Sequence, residues 1–185
     1  MPVTTKTSVI YFMRKRKKNV YLIGMMGTGK STIGQQVASE LSLNFYDTDV
    51  EIEKKSGKSV SEIFATEGEE EFRKNEQHFI ENGHPDSDSI VSCGGGLCVI
   101  SGMLERLKAK GTVICLWASP DVIFERIKND RGRPLLQVEE PKKEIQRIID
   151  QRKEYYLQAD LVINCKSLSI QKVSQQVIAA VCDID

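Results

Sequence analysis

Eight residues, Gly24-Met25-Met26-Gly27-Thr28-Gly29-Lys30-Ser31, leave few folds open to this chain. They fit G-x-x-x-x-G-K-[ST] at every fixed position. An apolar run, Val20 to Ile23, precedes them, and a helical pattern, Ser31 to Leu41, follows. That is the strand-loop-helix context in which such a spacing binds phosphate. Glycines let backbone N–H groups converge on phosphate oxygens, and the helix aims the positive end of its dipole at the anion. Lys30 can neutralise β- and γ-phosphates, and the Ser31 hydroxyl can ligate Mg²⁺.

Other nucleotide-binding patterns are missing. Thr32 stands where a G-x-G-x-x-G starting at Gly27 would need its third glycine. N-K-x-D and D-x-x-G, which a GTPase would carry, occur nowhere, nor do H-R-D and D-F-G. At 185 residues the chain suits one domain and is short for a motor or a large ATPase. Lys plus Arg and Asp plus Glu are both 26, which argues against a general nucleic-acid or acidic-membrane binder. No apolar stretch approaches the roughly 20 residues that span a bilayer. The cysteines Cys93, Cys98, Cys115, Cys165 and Cys182 form no C-x-x-C pair, so a zinc cage or disulfide scaffold is not expected. Cys115 and Cys165 read as buried, and a reducing cytoplasm is the expected compartment. What remains is a small phosphotransferase acting on a small acceptor.

Five short apolar runs predict strands: Val20 to Ile23, Leu43 to Tyr46, Ser89 to Ser92, Thr112 to Trp117 and Leu161 to Asn164. They are nearly continuous in apolar character, as in strands buried on both faces of a parallel sheet. Helical patterns cover Val50 to Lys55, Val60 to Ile80, Met103 to Lys110, Pro120 to Lys128, Pro141 to Leu157 and Ile170 to Val181. Alternating strands and helices predict an α/β sandwich. Asp130 to Glu140 is polar and aperiodic, and is expected to be a mobile loop. Residues 1–18, an apolar patch from Val9 to Met13 followed by a basic run, read as a flexible, dispensable arm, with Met13 as an alternative start.

Ligands of such sheets bind at the carboxyl ends of the strands. After the second strand comes Asp47-Thr48-Asp49, whose carboxylates can serve a metal and an acceptor hydroxyl, although Asp-x-Asp is often a helix cap. After the third comes Gly94-Gly95-Gly96, bare backbone against which a polar ligand can press. Arg73, with Glu76 at i+3, and Arg152, continuing the stripe Ile145, Ile148 and Ile149, put charge on apolar helix faces. Such arginines either pair with carboxylates of the protein or grip one on the acceptor through the guanidinium fork. Arg133, before Pro134, lies in the expected mobile loop and could reach a transferring phosphoryl group from a closing lid.

Taken together, Gly24 to Ser31, Asp47-Thr-Asp49, Phe72-Arg73-x-x-Glu76, Gly94-Gly-Gly96 and Arg133-Pro-Leu-Leu136 resemble the shikimate kinases in order and approximate spacing. The resemblance runs from about residue 19 to the last helix. It implies the nucleoside-monophosphate-kinase-like fold: three α/β/α layers, a five-stranded parallel sheet in the order 2-3-1-4-5, an acceptor-binding segment of about residues 50–82 and a lid of about 129–140. It implies transfer of the ATP γ-phosphoryl to the 3-hydroxyl of shikimate, in aromatic amino-acid biosynthesis, with Mg²⁺.

On that resemblance the catalytic residues are Lys30, Asp49 and Arg133. ATP is held by Gly27, Thr28, Gly29, Lys30, Ser31, Thr32, Arg126 and Arg133, with Arg126 packing against adenine. Shikimate is held by Asp49, Arg73, Gly94, Gly95, Gly96 and Arg152, and the metal by Ser31 and Asp47. A cytoplasmic monomer with no nucleic-acid or membrane partner is expected. Leu97 and Cys98 after the glycines, Asn75, and the Gly83-His84-Pro85 linker depart from the family's pattern, and His78 and His84 match no family role. The nearest rivals are a gluconate or nucleotide kinase of the same fold and a non-catalytic nucleotide binder.

Overall fold

β-Branched and aliphatic runs form the centre of the computed structural model, which describes residues 18–129, 138–166 and 168–183. Among them five strands make one parallel sheet: β1 (Asn19–Ile23), β2 (Asn44–Asp47), β3 (Ser89–Ser92), β4 (Gly111–Trp117) and β5 (Leu161–Asn164). Their order is β2-β3-β1-β4-β5, the order expected. Successive side chains leave opposite faces of the sheet. Tyr21, Ile23, Val91, Val113 and Cys115 therefore face one layer, and Val20, Leu22, Ile90, Ile114 and Leu116 the other.

The helices α1 (Lys30–Leu41) and α8 (Ile170–Asp183) cover the second face, through Ile33, Val37, Val173 and Val177. The first face is covered by α4 (Gly68–Asn82), α5 (Met103–Lys110), α6 (Pro120–Ile127) and α7 (Pro141–Leu157), through Phe79, Leu107, Ile123 and Ile148. Cys93, Cys98, Cys115 and Cys165 are buried free thiols; Cys182 is exposed.

Three expectations need correction. The strands are not all buried on both faces. β2 and β5 are sheet edges, the first mostly half-buried and the second mostly exposed, because an apolar run does not distinguish an edge from a centre. The single helix expected over Val60 to Ile80 is two, α3 (Val60–Thr66) and α4. Gly68 divides them at φ +86°, a left-handed conformation that glycine adopts freely. Ser59 caps α3 with Glu62 in a reciprocal capping box. The helix expected from Val50 begins earlier, as α2 (Thr48–Ser56), which places Asp49 in a first helical turn and not on an extended end. A small satellite core of Ile52, Ile63 and Phe72 ties α2, α3 and α4 together.

The basic arm to residue 17 and the loop residues 130–137 lie outside the described residues. Lys18 makes an isolated antiparallel bridge with Ser87.

Candidate active site

The carboxyl ends of β1, β2 and β3 lie side by side, with Asp47 in register with Ser92 and Leu22 with Ser92. Each strand therefore releases its loop into the same space, a crevice of about 730 Å³. β1 releases the glycine-lysine loop. Gly24 sits at φ +134°, and a side-chain carbon there would strike the Leu116 carbonyl. Lys30 is buried and folds back on this loop, its Nζ donating to the Gly24 carbonyl at 2.9 Å and to the Met25 carbonyl at 3.2 Å. Thr28 Oγ1 also bonds within the loop, donating to the Met25 carbonyl at 2.8 Å. Helix α1 opens at Gly29 with no side-chain cap, which leaves its first amides available to an anion.

β2 ends on the acidic pair. Asp47 caps α2 by accepting from the Asp49 amide at 3.1 Å through Oδ1, and its Oδ2 accepts from Ser31 Oγ at 2.6 Å. The cap reading of Asp47 thus holds, and the same side chain also meets Ser31. Ser31 and Asp47 are adjacent hard-oxygen donors on the crevice wall. That is a donor set suited to Mg²⁺, which usually keeps waters and takes phosphate oxygens beside one or two protein ligands.

Asp49 leaves Oδ1 buried with no hydrogen-bond partner. Burial, then the neighbouring Asp47 charge, raises its pKa above the usual carboxylate value, while Lys30 and Arg73 pull the other way.

β3 releases Gly94-Gly95-Gly96, and Asp49, Arg73, Glu76 and Arg152 gather around these residues. A side-chain carbon at Gly94 would collide with Glu76 Oε1 and come within 3.0 Å of Asp49 Oδ1. One at Gly96 would run into the Arg73 guanidinium. One at Gly95 would stand 3.6 Å from an Arg152 terminal nitrogen. Arg73 and Arg152, from α4 and α7, thus reach the same short loop. Arg73, Gly96 and Arg152 flank the crevice and do not line it, whereas Asp49, Gly94 and Gly95 do.

The Arg73 charge is also paired within the protein, donating to Glu76 at 2.6 Å and to Glu69 at 2.8 Å. Glu76 has no exposed surface, and its Oε1 has no partner. Burial pushes its pKa up to about 7 against the opposing charge of Arg73.

At the far end, Arg126 donates to the Gly27, Thr28 and Cys165 carbonyls at 3.2, 3.3 and 3.2 Å, joining the phosphate loop to the segment after β5. Thr32 also lines the crevice. Arg133 lies outside the described residues.

A family model described as "Shikimate kinase" matches residues 26–182. A shikimate kinase of Thermodesulfovibrio yellowstonii is 41% identical over 87% of this chain and 93% of its own length. One of Caldanaerobacter subterraneus is 40% identical over 88% and 95%. The chain belongs to the shikimate kinase family. A solved shikimate kinase of Acinetobacter baumannii, in complex with shikimate, superposes with a TM-score of 0.85 at 30% identity, covering 91% of this chain and 95% of that one.

Within this shikimate kinase chain, four residues join the site that sequence reasoning did not assign to it. Thr48 Oγ1 accepts from the Gly94 amide at 2.8 Å, and Ser92 Oγ lies 3.3 Å from Ser31 Oγ. Tyr156 donates to the Gly95 carbonyl at 2.7 Å, and Glu76 is the buried partner of Arg73. Glu76 had a usable signal in F-R-x-x-E. The other three are small or aromatic residues whose role exists only through contacts across the fold.

Proposed function

We propose that this shikimate kinase transfers the γ-phosphoryl group of ATP to the 3-hydroxyl of shikimate in the crevice above β1, β2 and β3, as a step of aromatic amino-acid biosynthesis. One observation carries the assignment of its acceptor side. Asp49, which lines the crevice together with Lys30, keeps a buried carboxylate oxygen with no donor beside Gly94. An unpartnered buried acceptor is costly, and a ligand hydroxyl supplies the missing donor.

In this reading Gly27 to Thr32 bind the ATP phosphates through backbone amides and Lys30, and Arg126 borders the adenine. Asp49 holds the acceptor hydroxyl and takes its proton. Its upward-shifted pKa brings it closer to that of a working base. Arg73 and Arg152 grip the shikimate carboxylate, and the Gly94–Gly96 amides meet ring hydroxyls. Ser31 and Asp47 would hold Mg²⁺, which when bound offsets phosphate charge. Lys30 and Arg133 steady the charge on the moving phosphoryl group. Phosphoryl transfer depends mostly on such positioning and charge neutralisation. We place the enzyme in the cytoplasm as a monomer; no described helix is long and apolar enough to cross a membrane.

The test is ADP release measured across shikimate, quinate, gluconate and nucleoside monophosphates. Shikimate is expected to give the highest kcat/KM. Preference for gluconate or a nucleotide would overturn the substrate assignment.

A further inference from the structure

Most backbone groups of the glycine loop are tied down within the protein. The Gly94 carbonyl accepts from the Leu97 amide at 3.0 Å and the Gly96 carbonyl from the Val99 amide at 3.2 Å, both within the short 3₁₀ turn Leu97–Val99. The Gly94 amide donates to Thr48. The Gly95 carbonyl is held by a side chain 61 positions away, the hydroxyl of Tyr156, at 2.7 Å. Among the described residues, no hydrogen bond from the Gly95 or Gly96 amide to a protein acceptor is found.

A trans peptide is planar, and its C=O and N–H point in opposite directions. The Gly95 carbonyl and the Gly96 amide belong to one such plane. Glycine resists rotation of that plane less than any other residue. The bond from Tyr156 therefore fixes the direction of the Gly96 N–H.

Tyr156 is built to do this. It is 1% exposed and packs edge-on against Trp117, with ring centroids 6.5 Å apart. It lies four residues after Arg152, one turn along α7. Burial raises its phenol far above the usual value, so the hydroxyl keeps its proton and serves as a donor. The Arg152 charge lies beside the same hydroxyl and acts in the opposite direction.

We infer that Tyr156 is a positioning residue for the acceptor: it turns the Gly95–Gly96 peptide so that the Gly96 N–H faces the shikimate ring, and holds that peptide in register with Arg152 on the same helix. The inference rests on the assignment of Gly94–Gly96 and Arg152 to the acceptor site.

Two measurements test it. In the unaltered protein, ¹⁵N-labelled and titrated with shikimate, the Gly96 amide resonance should shift; a Gly96 resonance that stays in place at saturation overturns the inference without any substitution. In Tyr156→Phe, which removes one oxygen and keeps the ring, KM for shikimate should rise about tenfold while KM for ATP stays within about twofold. A purely structural role would lower the thermal midpoint and leave the shikimate KM unchanged, and that outcome also overturns it. Arg152→Lys measured alongside separates the two levels. If Arg152→Lys raises the shikimate KM and Tyr156→Phe does not, the positioning role fails alone. If Arg152→Lys has no effect, the assignment of the acceptor site fails with it.

Discussion

The phosphate wall and the acceptor wall of the crevice treat their polar groups differently. On the phosphate wall Lys30 and Thr28 bond to carbonyls of the same loop, and Ser31 bonds to Asp47. On the acceptor wall Asp49 Oδ1, and behind it Glu76 Oε1, are carboxylate oxygens buried without any donor. The first wall is a self-contained cradle that many phosphate tails could enter. The second is incomplete, and what it lacks is hydrogen-bond donors. In the function proposed above, a polyhydroxylated ligand brings those donors, which assigns selectivity to the unsatisfied wall and general affinity for nucleotide to the satisfied one.

Lys30→Met should break this comparison most severely. With no cation at the phosphates, transfer is expected to fall by at least about 1000-fold, to the limit of an ADP-release assay. Shikimate binding by calorimetry should persist. A matching loss of shikimate affinity would show that the walls are not independent.

Asp49→Asn should lower kcat by roughly 100- to 10,000-fold, the usual contribution of a positioned base, with ATP affinity retained. If ATP affinity fell instead, Asp49 would belong to the metal side with Asp47. Gly96→Ala is the steric counterpart. The new methyl group meets the Arg73 guanidinium, and a displacement of about 1 Å can cost about 100-fold in kcat/KM for shikimate. An unchanged shikimate KM would mean that Arg73 does not rest against the loop in the working enzyme.

The same division separates what could be read from the sequence and what could not. The cradle is contiguous, so spacing alone revealed it together with its strand and helix. The sheet order followed from the family resemblance, and five apolar runs located the strands. The acceptor wall is assembled from α2, α4, α7 and the loop after β3, so only its sequence signatures were legible. The Tyr156 bond to Gly95 joins residues too far apart for any periodicity to register. The break at Gly68 was missed because a single glycine within a helical pattern is tolerated, and only its positive φ shows that it ends α3. The starting point of α2 was missed because Asp47 caps a helix from the last position of a strand.

The smallest expected effect concerns stability and pH, and it sets one wall directly against the other. Glu76 has its folded pKa raised to about 7 from an ordinary 4.5, chiefly by burial. Between those values the folded chain holds a proton that the unfolded chain has released. Stability therefore falls as pH rises from about 4.5 to 7 and is level above that range. Glu76→Gln removes this titration. It also removes the ion pair with Arg73, but the pair forms only as Glu76 ionises, and that attraction is already part of the raised pKa. The expected result, from thermal midpoints measured between pH 4 and 8, is a variant that is weakest relative to the parent protein at low pH and gains on it steadily toward pH 7. Ser31→Ala, on the wall that lacks an orphaned carboxylate, should keep the parent's pH slope. Parallel curves for Glu76→Gln and the parent protein would mean that Glu76 is ionised throughout this range, and the protein would then hold a full buried charge there and not a carboxyl that is neutral at low pH.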